Sequence, residues 1–376
     1  MAEPWLVLSL SGSSFYVGLD SFALNAPVWA LTLFGGLLAD RADRRKLILF
    51  FQALQFLGVT VLFFLLITGH LSIWFLIFVS FLTGATDSIS MPAFQAIVPS
   101  LVDKQQIPGA ISLNSAQFNL SRVLGPAIAG MVLAKFGPNI CFGANVLSYI
   151  PFFLFFVFIP IKKHRSDVSF SPPSGWLREI PSVLKNKYLH RPLLNVTSNS
   201  LFASPLMIFA SVIVKEYFQG SAAQFGFSMG AFGVGGFFGA IFSFYLPTLS
   251  QDAKNASLLG LFLGFVILVA AFVHNYFLLV TLFFLAGFFL TASNTLANSF
   301  IQSKAEDDSR GRVISFFQLS LRGGMAIAAL VSGTVIGWIG LRETLFFNGI
   351  LAIGLQVFLL SVDGGWTKKS RALPTC

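Results

Sequence analysis

Apolar stretches of about 20 residues follow one another along almost the whole chain, and short polar segments separate them. A helix needs a stretch of about this length to cross the hydrocarbon core of a bilayer. The pattern therefore predicts an all-α polytopic membrane protein with twelve spans, of which the first is partial. The predicted spans are 1–12 (partial), 14–38, 47–68, 72–98, 108–136, 140–160, 191–217, 224–247, 255–273, 276–301, 311–337 and 341–361.

The longest polar segment lies near the middle of the chain and divides six predicted spans from six. It carries Lys162-Lys163-His164-Arg165 and then Ser171-Pro172-Pro173-Ser174-Gly175. This composition is typical of a linker. We expect an N-terminal six-span half at 1–160, a cytoplasmic linker at 161–190, a C-terminal six-span half at 191–361 and a cytoplasmic tail at 362–376. The apolar run from Trp5 to Leu10 is too short for a span, so we expect the chain to begin within its first span.

The two predicted halves carry similar residues at a nearly constant separation, which favours an internal repeat. Secondary transporters are commonly built from repeated halves with a binding site between them. Two glycine pairs are separated by 203 residues and one arginine pair by 200 residues: Gly130 and Gly333, Gly137 and Gly340, and Arg122 and Arg322.

Composition and charge support the membrane prediction and exclude several other classes. Apolar residues make up 55% of the chain, 45 residues are Phe and the mean hydropathy is +0.80, values that do not describe a soluble protein. The formal net charge is +9, but the basic residues lie in loops instead of on one soluble face, so no nucleic-acid partner is expected. Most of these loops lie on one predicted side, which the positive-inside rule assigns to the cytoplasm together with the tail.

A charged segment between the second and third predicted spans has the spacing Gly36-x3-Asp40-Arg41-x2-Arg44-Arg45. It resembles the signature loop of the major facilitator superfamily, with Asp43 where that family normally has Gly. The resemblance implies a twelve-helix fold of two halves and a cytoplasmic gate loop. We expect Asp40 to dock at the N-terminus of span eleven, where the helix dipole is positive, and to hold the outward-open state.

Span five resembles the antiporter signature of drug exporters in this superfamily, with Ser or Ala in place of three glycines. Because Ser121, Gly125 and Ala129 recur every four residues, we expect a flat stripe that a second helix can approach closely. Pro126 permits bending. The span therefore suits a two-state gate, and a plain packing face is the alternative. The residues that carry the resemblance are Ser112, Ser121, Gly125, Pro126, Ala129 and Gly130.

Small residues also recur in span eight, where glycines at a spacing of four favour close contact between helices. We interpret them as packing and hinge positions. The pairs are Gly226 with Gly230 and Gly235 with Gly239.

Several charged and polar residues fall inside predicted spans, where they are costly unless they have partners or a function. Arg122 and Arg322 need a carboxylate, carbonyl dipoles, water or an anionic substrate, and Asp20 and Asp87 are the candidate partners. A carboxylate whose Arg partner comes and goes can bind and release a proton. Fixed structural ion pairs are the alternative. Polar side chains that could line the same cavity are Asn114, Gln117, Asn119, Asn294 and Asn298.

The end of span four, Met91-Pro92-Ala93-Phe94-Gln95, resembles the superfamily branch that includes enterobactin and macrolide exporters. Ser90 and Phe94 replace an Asp and an Arg of that pattern, so a charge pair of the branch is absent. The resemblance implies a proton-coupled exporter of amphipathic small molecules, and the two arginines favour a cargo with an anionic group.

We therefore expect a non-enzymatic, multi-pass transporter in a bacterial cytoplasmic membrane, without cofactor or metal and driven by a proton gradient. Its expected partners are a small-molecule substrate and membrane lipid, and we expect a monomer. A lysophospholipid flippase or importer on the same fold and an inactive truncated transporter are the alternatives. The chain has no Gly-x4-Gly-Lys-Ser/Thr motif for ATP, and its four His residues have no ligand spacing that favours an integral-membrane enzyme.

Overall fold

The computed structural model describes residues 2–32, 38, 43–97, 101–158, 187–246, 248–249, 252–304 and 316–361. Within these residues the regular structure is entirely helical, which confirms the all-α prediction for this part of the chain. We number the helices α1 to α12. The first six are α1 (Ala2–Ser11), α2 (Ser14–Asn25, with helical geometry again over 27–32), α3 (Arg44–Ile67), α4 (Ile73–Ile97), α5 (107–136) and α6 (138–158).

Helix α7 begins at Lys187, before the predicted start at 191, and alternates between α and π geometry. Its α segments are Lys187–Ser198, Ser204–Ile208 and Ala210–Val212, and its π segments are Asn199–Ala203 and Ile213–Tyr217. The remaining helices are α8 (Ala222–Tyr245), α9 (Ala253–Ala270), α10 (Tyr276–Lys304), α11 (Phe316–Ile339) and α12 (Leu341–Ser361).

Among the described residues, nine helices are long and apolar enough to cross a membrane: α3, α4, α6 and α7 to α12. The chain is therefore polytopic by length and composition. Helices α1, α2 and α5 are not among these nine, so the twelve-span count stays a prediction, as do the boundaries of the two halves. Most of the predicted linker and the whole predicted tail lie outside the described residues.

Side-chain caps explain where three of these helices begin. The Asp43 carboxylate accepts hydrogen bonds from the backbone N–H groups of Arg45 and Lys46 at 3.0 and 3.4 Å and so caps α3. Ser221 opens α8 in a capping box, and Asp252 accepts from the backbone N–H of Lys254 at the start of α9. Such caps satisfy N–H groups that have no partner within the helix. The residue that departs from the family loop pattern, Asp43, thus starts a helix.

Glycine contacts join the first predicted half to the second. A Cβ on Gly18 of α2 would overlap the backbone oxygen of Ala329 in α11, and Gly333 lies against the same glycine. A Cβ on Gly130 of α5 would likewise overlap the backbone oxygen of Gly226 in α8, and the reverse is also true. These helix pairs meet backbone to backbone, the closest approach that helices make.

The predicted internal repeat has counterparts in the packing. Gly84 of α4 lies against the backbone oxygen of Leu24 in α2, and Gly287 of α10 lies against that of Phe232 in α8. The two glycines are 203 residues apart, the same separation as Gly130 and Gly333. Helices α4 and α10 therefore make equivalent contacts within the two parts of the chain.

The second repeated glycine pair marks equivalent helix ends. Gly137 separates α5 from α6 with φ 77° and ψ 177°, and Gly340 separates α11 from α12 with φ 95° and ψ 163°. A residue with a Cβ is strained at these positive φ values. Glycine therefore allows the chain to reverse between two helices at both positions.

The predicted stripe on α5 is wrong in one respect. A Cβ on Gly125 would meet no atom within 4 Å, and Ser121 is exposed, whereas Gly130 makes the contact with α8. Each residue advances a helix by about 100°, so Gly130 points to a different side than Ala129. In α8 three of the four paired glycines make close contacts: Gly226 meets α5, and Gly235 and Gly239 press against backbone oxygens of α10.

We expect Gly130→Ala to destabilise the protein and Gly125→Ala to leave its stability unchanged or slightly higher. The new methyl at 130 has no room against α8, and such overpacking costs about 1–3 kcal/mol. The methyl at 125 meets open space, and Ala favours the helix over Gly by about 0.5–1 kcal/mol. Thermal unfolding of the two purified variants in the same detergent measures the difference. Equal melting temperatures would contradict this role of Gly130.

Candidate functional site

An ion pair joins the middle of α4 to α11. Arg322 Nη2 is 4.0 Å from Asp87 Oδ2, and the two side chains are 36% and 40% exposed. Asp87 lies about 21 Å along α4 from the first residue of that helix, at 1.5 Å per residue. Charged groups at this depth are too costly to face lipid, so their exposed sides must face a water-filled cavity. Of the two predicted partners of Arg322, Asp87 is the one in contact.

The backbone of α11 changes its geometry where it carries this arginine. Arg322 belongs to a π-helical segment, Leu319–Gly323, that precedes the α-helical segment Gly324–Ile339. Short π segments occur often at functional sites because they turn side chains to directions that a regular α-helix does not offer. The same geometry occurs in α7 over Asn199–Ala203, which begins with a buried polar residue, Asn199.

Gln55 of α3 holds the Asp87 carboxylate from the other side. Its Nε2 donates to Asp87 Oδ1 at 2.8 Å and to Thr86 Oγ1 at 2.6 Å, and its Oε1 accepts from Tyr149 Oη of α6 at 3.4 Å. The Gln55 side chain is 5% exposed. Asp87 is therefore positioned by α3 and α6 within the first predicted half and is paired across to α11. Sequence reasoning missed Gln55, although a glutamine within a long apolar stretch was a signal for it.

A second cluster joins α1, α2 and α4 through one hydroxyl group. Ser80 Oγ lies 2.5 Å from Glu3 Oε1, 2.5 Å from Asp20 Oδ1 and 3.2 Å from the Leu76 backbone oxygen. Asp20 and Ser80 are buried. A hydroxyl group has only one hydrogen to donate, so both carboxyl contacts are favourable only when one of the two carboxyl groups carries a proton. The arrangement can therefore hold a proton between Glu3 and Asp20.

Asp20 was a predicted site residue, whereas Glu3 was not. The short apolar run that follows Glu3 hid its place in the bundle, because the partial first span gave no reference for depth. The contact with Ser80 of α4 is long-range in sequence and became visible only in the folded chain.

In the second predicted half an uncharged network joins α7, α9 and α10. Asn199 Nδ2 donates to Asn294 Oδ1 and to Ser293 Oγ, both at 3.0 Å, and Asn195 Nδ2 donates to Ser293 Oγ at 3.0 Å. Ser293 Oγ in turn donates to the backbone oxygen of Ala256 at 2.7 Å. Asn294 thus lies in a polar cluster as expected, while Asn298 accepts a hydrogen bond from the exposed Gln302 side chain.

The structure describes the side chains of only some of the predicted site residues on α5. Asn114 and Ser121 are exposed, and Gln117 Nε2 donates to Ser121 Oγ at 3.0 Å. Ala129 is half-buried and Gly130 is buried against α8. Four predicted residues have side chains outside the described part of the structure, so their roles stay predictions: Ser112, Asn119, Arg122 and Pro126.

The predicted gate loop is described only at its end. Gly36, Asp40 and Arg41 lie outside the described residues, as does the start of span eleven where Asp40 was expected to dock. Arg44 and Arg45 are the first residues of α3, and Arg45 Nη2 donates to the backbone oxygen of Val157 in α6 at 2.5 Å. Arg45 therefore ties the start of α3 to the end of α6.

Aromatic and charged residues connect α1 to α7 and α8 at the end of the bundle that is predicted to be extracytoplasmic. The rings of Trp5 and Phe225 stack with centroids 5.5 Å apart. Lys215 Nζ lies 5.6 Å from the centroid of the Trp5 ring and donates to Ser9 Oγ at 3.2 Å. These contacts link α1 to α7 and α8 across this end of the interface between the predicted halves.

Comparison with known proteins agrees with this architecture. The family model described as transmembrane secretion effector, within the major facilitator class, matches residues 1–364. The chain is 26% identical to the staphyloferrin A transporter of Staphylococcus aureus, with 96% of this chain and 90% of the relative covered. It is 25% identical to the multidrug efflux pump Tap of Mycolicibacterium fortuitum (99% and 92% covered) and 22% identical to macrolide efflux protein A of Streptococcus pyogenes (95% and 89%).

Solved structures share the fold. The nucleoside transporter NupG superposes with a TM-score of 0.71 at 13% identity, and a bacterial homologue of the iron transporter ferroportin in an inward-facing state superposes with a TM-score of 0.67 at 16% identity. Each comparison covers 95% of this chain and 93% of the other. These likenesses show the fold. The family match and the relatives confirm the expected resemblance to major facilitator exporters. The family and these relatives are transporters and not enzymes, and the chain belongs to the transmembrane secretion effector family of the major facilitator superfamily.

Proposed function

We propose that this protein is a secondary transporter that exports amphipathic small molecules by alternating access, in exchange for protons. The ion pair between Asp87 and Arg322 supports the proposal most directly, because it joins α4 to α11, sets a carboxyl group that can take up a proton against an arginine, and leaves both side chains partly exposed. We also propose twelve spans in two six-helix halves, a monomer in a bacterial cytoplasmic membrane and a cytoplasmic tail at 362–376. A siderophore, a drug and a macrolide, the compounds in the names of the relatives, are the first candidates for the cargo.

The proposed coupling depends on whether the Asp87 carboxyl group binds a proton or pairs with Arg322. When a proton binds to Asp87 Oδ2, the carboxyl group loses its charge and its attraction to Arg322. The arginine stays charged, because a guanidinium is not deprotonated in proteins. Both side chains are partly exposed, and ion pairs of this kind are held by about 1 kcal/mol or less, so the pair opens and closes easily.

The sign of the coupling sets the charge of the cargo. A cationic group on the cargo competes with the proton for Asp87. The proton is therefore released when the cargo binds, and the cargo is released when the proton binds, so the two move in opposite directions as in antiport. An anionic group would bind Arg322 best when Asp87 is protonated, and cargo and proton would then move together. Proton-driven export therefore favours a cargo that presents a cationic group to Asp87, and the anionic cargo suggested by the arginines alone would favour symport.

The Glu3, Ser80 and Asp20 cluster supports a second role in proton transfer. A proton shared between two carboxyl groups moves from one oxygen to the other through the hydroxyl with little rearrangement. The cluster lies in the first predicted half, as Asp87 does. The amide network around Ser293 offers the second half a polar but uncharged counterpart.

We expect Asp87→Asn to lower proton-driven efflux by at least about tenfold, a factor that corresponds to about 1.4 kcal/mol. The amide can bind neither a proton nor a cationic group in place of the carboxylate. The measurement is efflux of ethidium, a lipophilic cation, and of a catecholate siderophore from proteoliposomes with and without a pH gradient.

The double variant Asp87→Asn/Arg322→Gln is the control for folding. The single variant leaves Arg322 without its partner, which can lower the amount of folded protein. The double variant removes this arginine as well, so we expect it to be as abundant as the wild type but still without proton-driven efflux. If Asp87→Asn exports the active compound normally at equal abundance, the coupling proposal is wrong. If the protein moves lysophospholipid in the same vesicles and neither of the two compounds, the flippase alternative is correct, and no movement of any of them favours an inactive transporter.

We expect Gln55→Leu to reduce proton-driven efflux by about tenfold or more, because a hydrogen bond to a charged group is worth about 1.5–3 kcal/mol. Leucine has nearly the volume of glutamine and fills the same space in α3, so the amount of folded protein should change little. Gln52→Leu, one helical turn away on α3, is the matched control and should leave efflux unchanged. Equal efflux by the two variants would show that Gln55 does not position Asp87.

A further inference from the structure

A cavity of about 280 Å³ lies between α7, α11 and α12, away from the cluster around Asp87. Its walls are mostly apolar, with Phe202 from α7, Val331 from α11 and Phe347 from α12 among them. Pockets that hold small molecules have volumes of about 300–1,000 Å³, so this cavity suits a compact ligand. Neither the ion pair nor the carboxyl cluster contributes to it.

One buried polar group in this wall has no hydrogen-bond partner. Asn348 of α12 lines the cavity and is 9% exposed, and its Nδ2 is unpaired among the described residues. Thr344, a polar neighbour in the same wall, already donates to the Gly340 backbone oxygen at 2.6 Å. A buried donor without an acceptor is unfavourable. A half-turn of the amide group exchanges the positions of Nδ2 and Oδ1, and in that orientation an acceptor brought by a ligand into the cavity would satisfy the donor.

The lining of the cavity includes two exposed apolar residues, Val331 and Phe347, which are 54% and 53% exposed. Helices α11 and α12 are long and apolar enough to cross a membrane, so we expect this side of the cavity to face lipid. Asn348 lies about 10 Å along α12 from Leu341, at 1.5 Å per residue, and is therefore below the bilayer surface. Water is scarce at this depth, so a molecule dissolved in the bilayer is the source of an acceptor that suits this site.

We propose that this cavity binds a compact apolar molecule from the lipid phase whose single carbonyl-type oxygen accepts a hydrogen bond from Asn348. The apolar walls bury the body of the molecule, and the amide group selects for the oxygen. The site is separate from the proposed transport pathway at Asp87, so it does not depend on proton coupling.

The test uses benzophenone, an apolar ketone with one acceptor oxygen that forms covalent bonds with nearby C–H groups under ultraviolet light. The full chain in proteoliposomes is illuminated with benzophenone, and the labelled peptides are identified by mass spectrometry. Fluorenone and fluorene, which differ by one carbonyl oxygen, serve as unlabelled competitors. We expect labelling on α7, α11 and α12, and we expect fluorenone to compete about tenfold better than fluorene, as a hydrogen bond to a buried donor allows.

Two variants test the hydrogen bond of Asn348 and the volume of the cavity separately. Asn348→Leu should abolish the advantage of fluorenone over fluorene, whereas Asn145→Leu, the exposed asparagine 203 residues earlier on α6, should leave it unchanged. Val331→Trp should fill the cavity and abolish labelling, even if Asn348→Leu fails to fold. Labelling spread over all lipid-facing helices and unaffected by Val331→Trp would overturn the proposal, as would an unchanged preference for fluorenone in Asn348→Leu.

Discussion

Two backbone-to-backbone contacts between helices determine how closely the two predicted halves approach each other. Gly18 meets Gly333 in one of them, and Gly130 meets Gly226 in the other. Between apolar helices in lipid, packing provides most of the attraction, so a missing Cβ matters more than it does in water. The first of these contacts also brings α11 beside the helices of the first half. Arg322 lies about three turns from Gly333 on α11, and this placement allows it to reach Asp87 on α4.

The polar groups inside the bundle are divided unequally between its two parts. The carboxyl groups of the described clusters, Asp87 and Asp20, lie in the first predicted half, whereas the network around Ser293 in the second half consists of uncharged amide and hydroxyl groups. Arg322 is the charged residue that the second half adds to the described cluster at Asp87. An arginine that faces a carboxylate across this interface is the contact on which the proposed proton-coupled rocking motion depends.

Backbone geometry helps to place these groups. The π segments in α7 and α11 occur where the helices carry Asn199 and Arg322. A regular helix would point these side chains elsewhere, since each inserted residue rotates the remainder of the helix by about 100°. Neither segment contains a signal that a search for periodicity would detect, because a π turn leaves the apolar composition unchanged. The contacts of Gln55, Glu3 and Ser80 were missed for a related reason: each joins residues far apart in the chain.

By itself the sequence determined that the chain is a polytopic helical membrane protein, where most helices lie, that glycines repeat at a fixed separation and that Asp20, Asp87 and Arg322 need partners. These features follow from the length of apolar stretches and from the cost of charge in lipid, and both are local properties. The tertiary structure decided which partner each residue has: Arg322 pairs with Asp87, and Asp20 contacts Ser80. It also decided that Gly130, and not Gly125, is the glycine of α5 that packs against α8. The physical reason is that a partner depends on the rotation of two helices about their axes, and a change of about 100° in one of them exchanges one face of contact for another.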